Sequence, residues 1–144
     1  MTCQVAHAPR QLLEWTGGRA LVATSNPLPE AIWPGDMQVR QCTSLLIFPG
    51  LALGAIASQA RRITGGMLVA AAQALAGMAP AHGGTLSALY PPLSQAREVA
   101  RQVALAVAAE AQSAGEAAPS SARELGQLVD ALIWQPRYAQ VRRV

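Results

Sequence analysis

The segment 96–111 constrains the fold of this chain more than any other part of the sequence. Its small and β-branched apolar residues recur every three or four positions, whereas its charged and amide residues fall between them. The apolar set is Ala96, Val99, Ala100, Val103, Ala104, Val107 and Ala111, and the polar set is Arg97, Glu98, Arg101 and Gln102. This spacing predicts an amphipathic helix with one buried stripe, capped at its start by Ser94.

Alanine extends the helical prediction to most of the chain. Thirty of the 144 residues are alanine, which has the highest helix propensity and is depleted in strands. Leu, Ile, Val and Phe together number 33, so the core is thin but sufficient for a folded chain. The length corresponds to a single domain.

Caps and helix breakers predict four further helices. They cover residues 9–15, 49 to about 60, 66–76 and 121 to just before Pro136. Gly17 and Gly18 end the first, Thr64 caps the third, and Ser121 with Glu124 forms a capping box for the last. The third is expected to bury Met67, Leu68, Ala71, Ala72 and Leu75, and the last Leu125, Leu128, Val129, Leu132 and Ile133.

Residues 19–24 (RALVAT) are the best strand candidate. Ser25-Asn26-Pro27 ends this strand, and prolines make the following stretch to Arg40 a loop. Loops that follow strands are where α/β folds place ligands. The apolar segment 45–48 is either a second strand or the buried entry to a helix, because periodicity cannot separate the two over four residues.

The sequence offers few groups for catalysis. It has 11 arginines and no lysine, which excludes every mechanism that needs a side-chain amine. The two histidines, His7 and His82, have no carboxylate at a suggestive spacing, and the eight carboxylates show no metal-ligand pattern. We therefore expect no metal site.

Charge, cysteines and hydropathy restrict the cellular compartment of the chain and the partners that it can bind. The net charge is +3, but the arginines are scattered, so we expect no nucleic-acid partner. Cys3 and Cys42 have no CxxC spacing, which favours a reduced, cytoplasmic protein. The longest apolar run, 45–57, is interrupted by Pro49 and Gly50 and is too short to span a bilayer, so no membrane contact is expected.

Glycines and tryptophans are interpreted as packing residues. The glycine pairs belong to no phosphate-binding motif. Gly50 and Gly54 form a GxxxG, which in a globular chain favours the close approach of two helices over a dimer face. Trp15, Trp33 and Trp134 are interpreted as packing anchors.

Six motifs in one order give the chain a family resemblance. They are WTGGRALVAT at 15–24, QC at 41–42 with IFPG at 47–50, LG at 53–54 with ASQARRIT at 57–64, GM at 66–67 with AAA at 70–72, LYPPL at 89–93 and WQPRY at 134–138. In this order they resemble the C-terminal part of the malic enzymes, over about residues 5–138.

The resemblance implies an α/β fragment, predominantly helical, that is the C-terminal portion of a Rossmann-like NAD(P)-binding domain lacking its first strands. Over residues 1–144 it implies a segment of an oxidoreductase that converts malate to pyruvate with NAD or NADP and a divalent metal. The glycine-rich dinucleotide turn, the catalytic tyrosine, the lysine base and the acidic metal ligands of the family lie upstream of this part. A truncated or remnant chain, inactive alone, is therefore expected.

The chain departs from the family pattern at polar positions. Thr43 and Ser44 stand where malic enzymes carry a pair of asparagines that face substrate and cofactor, so these two are the candidate cofactor-binding residues. Two hydroxyls hold malate less well than two carboxamides, which donate and accept at longer reach. Gly17 and Gly65 replace acidic residues, and Ser25-Asn26-Pro27 replaces Gly-Ser-Pro.

Two other functions remain open. The chain is alternatively a helical interaction module that associates with itself or with a full-length malic enzyme, because a strand at 19–24 without parallel neighbours leaves its backbone groups unpaired. The third possibility is nucleotide binding at the loops from Ser25 to Thr43, against which the missing phosphate-binding turn argues.

Overall fold

The structure is a computed structural model that describes residues 9–20, 22–25, 40–79 and 89–134. Its elements are, in chain order, α1 (Pro9–Thr16), β1 (Ala23–Thr24), β2 (Arg40–Gln41), α2 (Phe48–Ala57), α3 (Gly65–Gly77), α4 (Ala96–Ser113) and α5 (Ala122–Leu132). Short 3-10 turns at Ser44–Leu46 and Leu93–Gln95 precede α2 and α4. The expected helical character is confirmed for this part of the chain.

Helix α4 is the centre of the core. It packs against α2, α3 and α5, and its predicted stripe is confirmed, since Val99, Val103 and Val107 are fully buried. The predicted start is wrong. Ser94 lies inside the 3-10 turn, and the residue that caps α4 is Gln95, which makes no side-chain capping hydrogen bond.

Two glycines allow α2 to lie directly on α4. A Cβ on Gly50 would lie 2.6 Å from Val103 Cβ, and one on Gly54 would lie 2.5 Å from the Ala104 carbonyl oxygen. Real Cβ atoms do not approach other atoms this closely, so only glycine fits at these positions. The prediction that this GxxxG serves helix packing is confirmed within the chain.

Helix α3 buries a narrower face than predicted. Met67, Ala71 and Leu75 are buried against α4, but Leu68 and Ala72 are exposed. Helix α5 shows the same pattern, because Leu125 and Val129 are buried whereas Leu128 and Leu132 are about half exposed. The apolar stripes predicted for α3 and α5 are wider than the buried faces, because each of these two helices contacts its neighbours on one side only.

The two strands are short and pair within the chain. They are parallel, with Ala23 opposite Arg40 and Thr24 opposite Gln41. The predicted strand 19–24 is therefore reduced to its last two residues. Its partner β2 comes at the end of the segment predicted as loop. Residues 45–48 form no strand, because the 3-10 turn and the first turn of α2 occupy them.

Glu116 ties the turn after α2 to the connection between α4 and α5. Its buried carboxylate oxygen Oε1 lies 2.7 Å from Arg62 Nη2, and its carbonyl accepts a hydrogen bond from the Arg61 amide at 3.0 Å. The segment 115–120, which connects α4 to α5, is thus anchored where it begins.

Two smaller predictions are corrected at helix ends. Helix α2 stops at Ala57, short of residue 60, because Gln59 adopts a left-handed backbone conformation (φ 55°). Trp15 and Trp134, interpreted as packing anchors, are 64% and 68% exposed, so neither is part of the buried core. Trp33 lies outside the described residues. The predicted end of α1 at the glycine pair is confirmed, with Gly17 and Gly18 both at positive φ.

Candidate functional site

The candidate site lies beyond the carboxyl end of the two-stranded sheet. β2 ends at Gln41, and Cys42, Thr43 and Ser44 follow it directly. In open parallel sheets, ligands bind at this edge because the strands end there and the chain turns away. Thr43 and Ser44, the candidate cofactor-binding residues, therefore occupy the expected edge of the sheet.

Thr43 has a structural task in this turn. Its backbone is extended, and its Oγ1 accepts a hydrogen bond from the Leu45 amide at 3.3 Å, which caps the 3-10 turn. Its carbonyl accepts a second bond from the Leu46 amide at 3.1 Å. Ser44 is exposed, and no hydrogen bond of its hydroxyl is seen among the described residues. Of the predicted pair, Ser44 is therefore the less constrained by local hydrogen bonds.

A cavity of about 690 Å³ opens beside these residues. Cys42, Thr43 and Ser44 line one side, α3 lines the other, and Tyr90 contributes from the segment before α4. The remaining described lining residues are Leu46, Ile47, Ala72, Leu75, Ala76, Ala79 and Leu89. The structure thus brings Thr43, Ser44 and the adjacent Cys42 together with Tyr90, which lies in a different motif far along the sequence.

Tyr90 and Cys42 form a polar pair in this cavity. A side-chain hydrogen bond with Cys42 raises the pKa of the Tyr90 phenol above its ordinary value, and partial burial adds to this effect. A raised pKa means that the neutral phenol is the favoured form. Tyr90 therefore stays protonated at neutral pH and is no general base.

The described lining of the cavity carries no formal charge. Among the residues that the structure describes, no three His, Cys, Asp or Glu side chains form a group that could hold a metal ion. His7 and His82 lie outside the described residues. The described lining therefore offers hydrogen bonds and apolar contacts, and none of its residues is a cation of the kind that recognises phosphates or carboxylates.

The described residues do not fit the phosphates of a dinucleotide. Such groups are bound by a glycine-rich turn at a helix N-terminus. Gly65 and Gly66 begin α3, but the Glu110 carboxylate lies against Gly66, because Oε1 would be 2.5 Å from a Cβ there; a Cβ on Gly65 would meet nothing within 4 Å. A carboxylate at this position repels an anion.

Within the part of the chain that the structure describes, no helix combines the length and the apolar character needed to cross a membrane.

Comparison with known proteins identifies the family. The family model described as "Malic enzyme, NAD binding domain" matches residues 2–112. The chain belongs to this family. Among its relatives, the NAD-dependent malic enzyme of Pseudomonas aeruginosa is 42% identical over 143 residues. That of Pseudomonas savastanoi pv. phaseolicola is also 42% identical, and that of Pectobacterium atrosepticum 40%.

These alignments cover 99% of this chain but 25% of the relatives' length. The chain thus spans about a quarter of the malic enzymes it matches. The resemblance drawn from the six motifs is confirmed, and the family's NAD cofactor with it. The assignment of Thr43 and Ser44 to that cofactor stays a prediction.

Proposed function

We propose that the chain is the C-terminal helical part of a Rossmann-like NAD(P)-binding domain of malic enzyme type, and that it supplies packing rather than reacting groups. The observation that carries this proposal is the pair of two-residue parallel strands beside helices with uncovered apolar faces. Parallel sheets are normally wider and covered by helices on both faces.

The exposure of helix α2 supports the proposal that these helices lack a packing layer in the described structure. One side of it lies on α4 through Gly50 and Gly54, yet Phe48 and Ile56 are 65% and 63% exposed. A helix that is apolar on all sides is typical of a protein interior. The matched relatives are four times as long and contain the additional residues that such a face needs.

The described cavity has no group suited to malate oxidation. Transfer of hydride from a secondary alcohol to NAD requires a base for the hydroxyl proton. Tyr90 is held neutral by its bond to Cys42, and the sequence contains no lysine. We therefore expect no pyruvate formation by this chain alone, in the cytoplasmic, reduced setting predicted from its cysteines.

Activity measurements test this proposal directly. The purified chain is mixed with malate, Mn²⁺ and either NAD or NADP, and reduced cofactor is followed by absorbance. The expected rate equals that of the blank. The chain is then added to the first three quarters of the Pseudomonas aeruginosa relative, produced separately. Formation of a stable complex supports the proposal, whereas malate-dependent reduction by the chain alone overturns it.

A second candidate function is that of a helical interaction module, which associates with itself or with a full-length malic enzyme. The exposed Phe48 and Ile56 on α2 favour it. The argument from unpaired backbone groups of the first strand is weakened, because β1 pairs with β2 inside the chain. Association then depends on the apolar helix face rather than on a strand edge.

A further inference from the structure

We propose that α5 detaches from α2 and α4 as one unit while α2, α3 and α4 stay folded, so that the surface beneath it is uncovered at intervals. Helix α5 is then a cover whose opening is a conformational change built into this chain. This inference goes beyond the proposed function, because it depends on the contacts of α5 and of the segment before it and involves neither malate nor a cofactor.

The apolar core of the described structure has two parts, and α5 belongs to the smaller one. The larger part consists of buried residues from α3, from α4 and from the turn before α2, namely Leu46, Met67, Ala71, Leu75, Val99, Val103, Val107 and Ala111. The smaller part joins Ala57 of α2, Ala104 of α4 and Val129 of α5. The larger part therefore keeps its own contacts when α5 is detached.

The contact beneath α5 is narrow. Leu125 and Val129 are the buried side chains of this helix. Val129 packs on Ala57 and Ala104, each of which presents a single methyl group. The stabilisation of an apolar contact scales with the area that it removes from water. Detachment of α5 therefore exposes less apolar area than separation of two helices joined by larger side chains on both sides.

Helix α5 is too short to persist once it has left its neighbours. It has 11 residues, and isolated helices shorter than roughly 12 to 15 residues are marginal in water. Gly126 inside the helix weakens it further, because glycine has a low helix propensity. Detachment and melting of α5 should therefore coincide, so that its backbone amides open together.

The connection before α5 is fixed to α4 up to its last residue. Gln112 Nε2 donates to the Ala118 carbonyl oxygen at 2.9 Å and to Ser120 Oγ at 2.8 Å. The buried Glu116 carboxylate holds the same connection to the turn after α2. None of these contacts uses a residue of α5, so they persist when it detaches. The chain then pivots at Ser121, the N-cap of the helix.

An exposed ion pair holds the other end of α5. The Asp130 carboxylate accepts from Arg101 Nε at 2.6 Å, and the two side chains are 51% and 32% exposed. Ion pairs in contact with water contribute little to stability, because both charges are well hydrated when they are apart. This end of α5 is therefore released without burying a charge.

Amide hydrogen exchange of the full chain, measured residue by residue by NMR, tests the proposal. The hydrogen-bonded amides of α5 should share one opening equilibrium constant, at least about tenfold larger than that of the amides of α4 around Val103 and Val107. A ratio below tenfold, or opening constants that differ from one α5 amide to the next, overturns the proposal.

Two matched variants separate the opening of α5 from unfolding of the whole chain. Val99 and Val129 are both fully buried, and one belongs to each part of the core. Val99→Ala should raise the opening constant of the α4 amides by about tenfold and leave that of the α5 amides unchanged, because Val99 stays packed when α5 detaches. If Val99→Ala raises both constants by the same factor, the chain opens as a single unit and the proposal is wrong.

Val129→Ala should raise the opening constants of both helices by about tenfold, because it destabilises the closed chain from which either opening starts. An unchanged constant for the α5 amides in this variant would mean that Val129 does not hold the helix in place, which also contradicts the proposal. Since these measurements involve no malate turnover, they fail or succeed independently of the proposed function.

Discussion

At the scale of single residues, two glycines determine how closely the main helices approach. Gly50 and Gly54 face backbone carbonyls and β-branched side chains of α4 at distances that leave no space for a methyl group. A carbonyl in the middle of a helix cannot move aside without breaking its hydrogen bonds. The tolerance of each glycine to alanine therefore depends on what a Cβ would meet.

Gly54→Ala should destabilise the chain by about 1 to 3 kcal/mol, since the new methyl group overlaps the Ala104 carbonyl and Val107. Gly126→Ala is the matched control. It lies inside α5, and a Cβ there has no neighbour within 4 Å, so the variant should gain about 0.5 to 1 kcal/mol. Chemical denaturation measures both. A neutral Gly54→Ala would show that α2 and α4 are not in this contact.

Asp130 makes stability depend on pH through one ion pair. Its carboxylate accepts from Arg101 Nε at 2.6 Å and from Arg101 Nη2 at 3.0 Å, linking α5 to α4. The bond from Arg101 lowers the pKa of Asp130 below its ordinary value of 3.8. A lowered pKa stabilises the fold above that ordinary value, and this contribution disappears as the pH falls through the folded-state pKa.

Asp130→Asn should therefore lower the melting temperature at neutral pH, and the gap to the native chain should close below pH 3.8. Glu124 also has a lowered pKa, through the backbone amide and hydroxyl of Ser121, so some acid sensitivity remains in the variant. Thermal melts across the acid range measure the gap. A gap that does not change with pH would contradict the ion pair.

At the scale of elements, the starts of α4 and α5 look alike in sequence but differ in structure. Ser121 accepts from the Glu124 amide at 3.2 Å, and Glu124 Oε2 accepts from the Ser121 amide at 2.8 Å. Ser94, which also precedes a helix, lies in a 3-10 turn and does not cap α4. Ser121 therefore caps its helix, whereas Ser94 does not.

Ser121→Ala should cost about 1 kcal/mol, because it removes the capping box of α5. Ser94→Ala should change stability by less than about 0.5 kcal/mol. The two variants remove the same hydroxyl from comparable exposed positions, so they control for each other in one denaturation series. Equal losses would place Ser94 at the cap after all.

The helices could be predicted from the sequence because their signals are local and repeated. The stripe that includes Val99, Val103 and Val107 extends over four turns of α4. β1 was predicted only as the end of a longer strand, 19–24, and β2 could not be predicted, since two residues carry no periodicity. β2 follows a proline-rich stretch, and only its pairing with β1 makes Arg40 and Gln41 a strand. Pairing between distant segments is a property of the fold.

At the scale of the whole molecule, the candidate site was predictable only in part. Family position marked Thr43 and Ser44 as candidate cofactor-binding residues, and the structure puts both at the cavity. Tyr90 and Cys42 are far apart in the sequence, and neither belongs to a catalytic spacing. Their hydrogen bond depends on how the segment before α4 returns to β2, which no local pattern encodes.

The exposed apolar face of α2 predicts how the isolated chain behaves in solution. Phe48 and Ile56 are more than 60% exposed and lie about two turns apart on one helix. Contiguous exposed apolar surface promotes association. The mass measured by sedimentation should therefore rise with concentration, and the double variant Phe48→Gln/Ile56→Gln should remain a monomer. Because both side chains are exposed, this variant should fold normally.

Leu128→Gln/Leu132→Gln is the matched control, since it removes two apolar side chains of about 47% exposure from α5. This variant should associate like the native chain if the α2 face is the contact. A native chain that stays monomeric at every concentration would show that exposed Phe48 and Ile56 do not drive association. In that case the interaction-module function loses its physical basis.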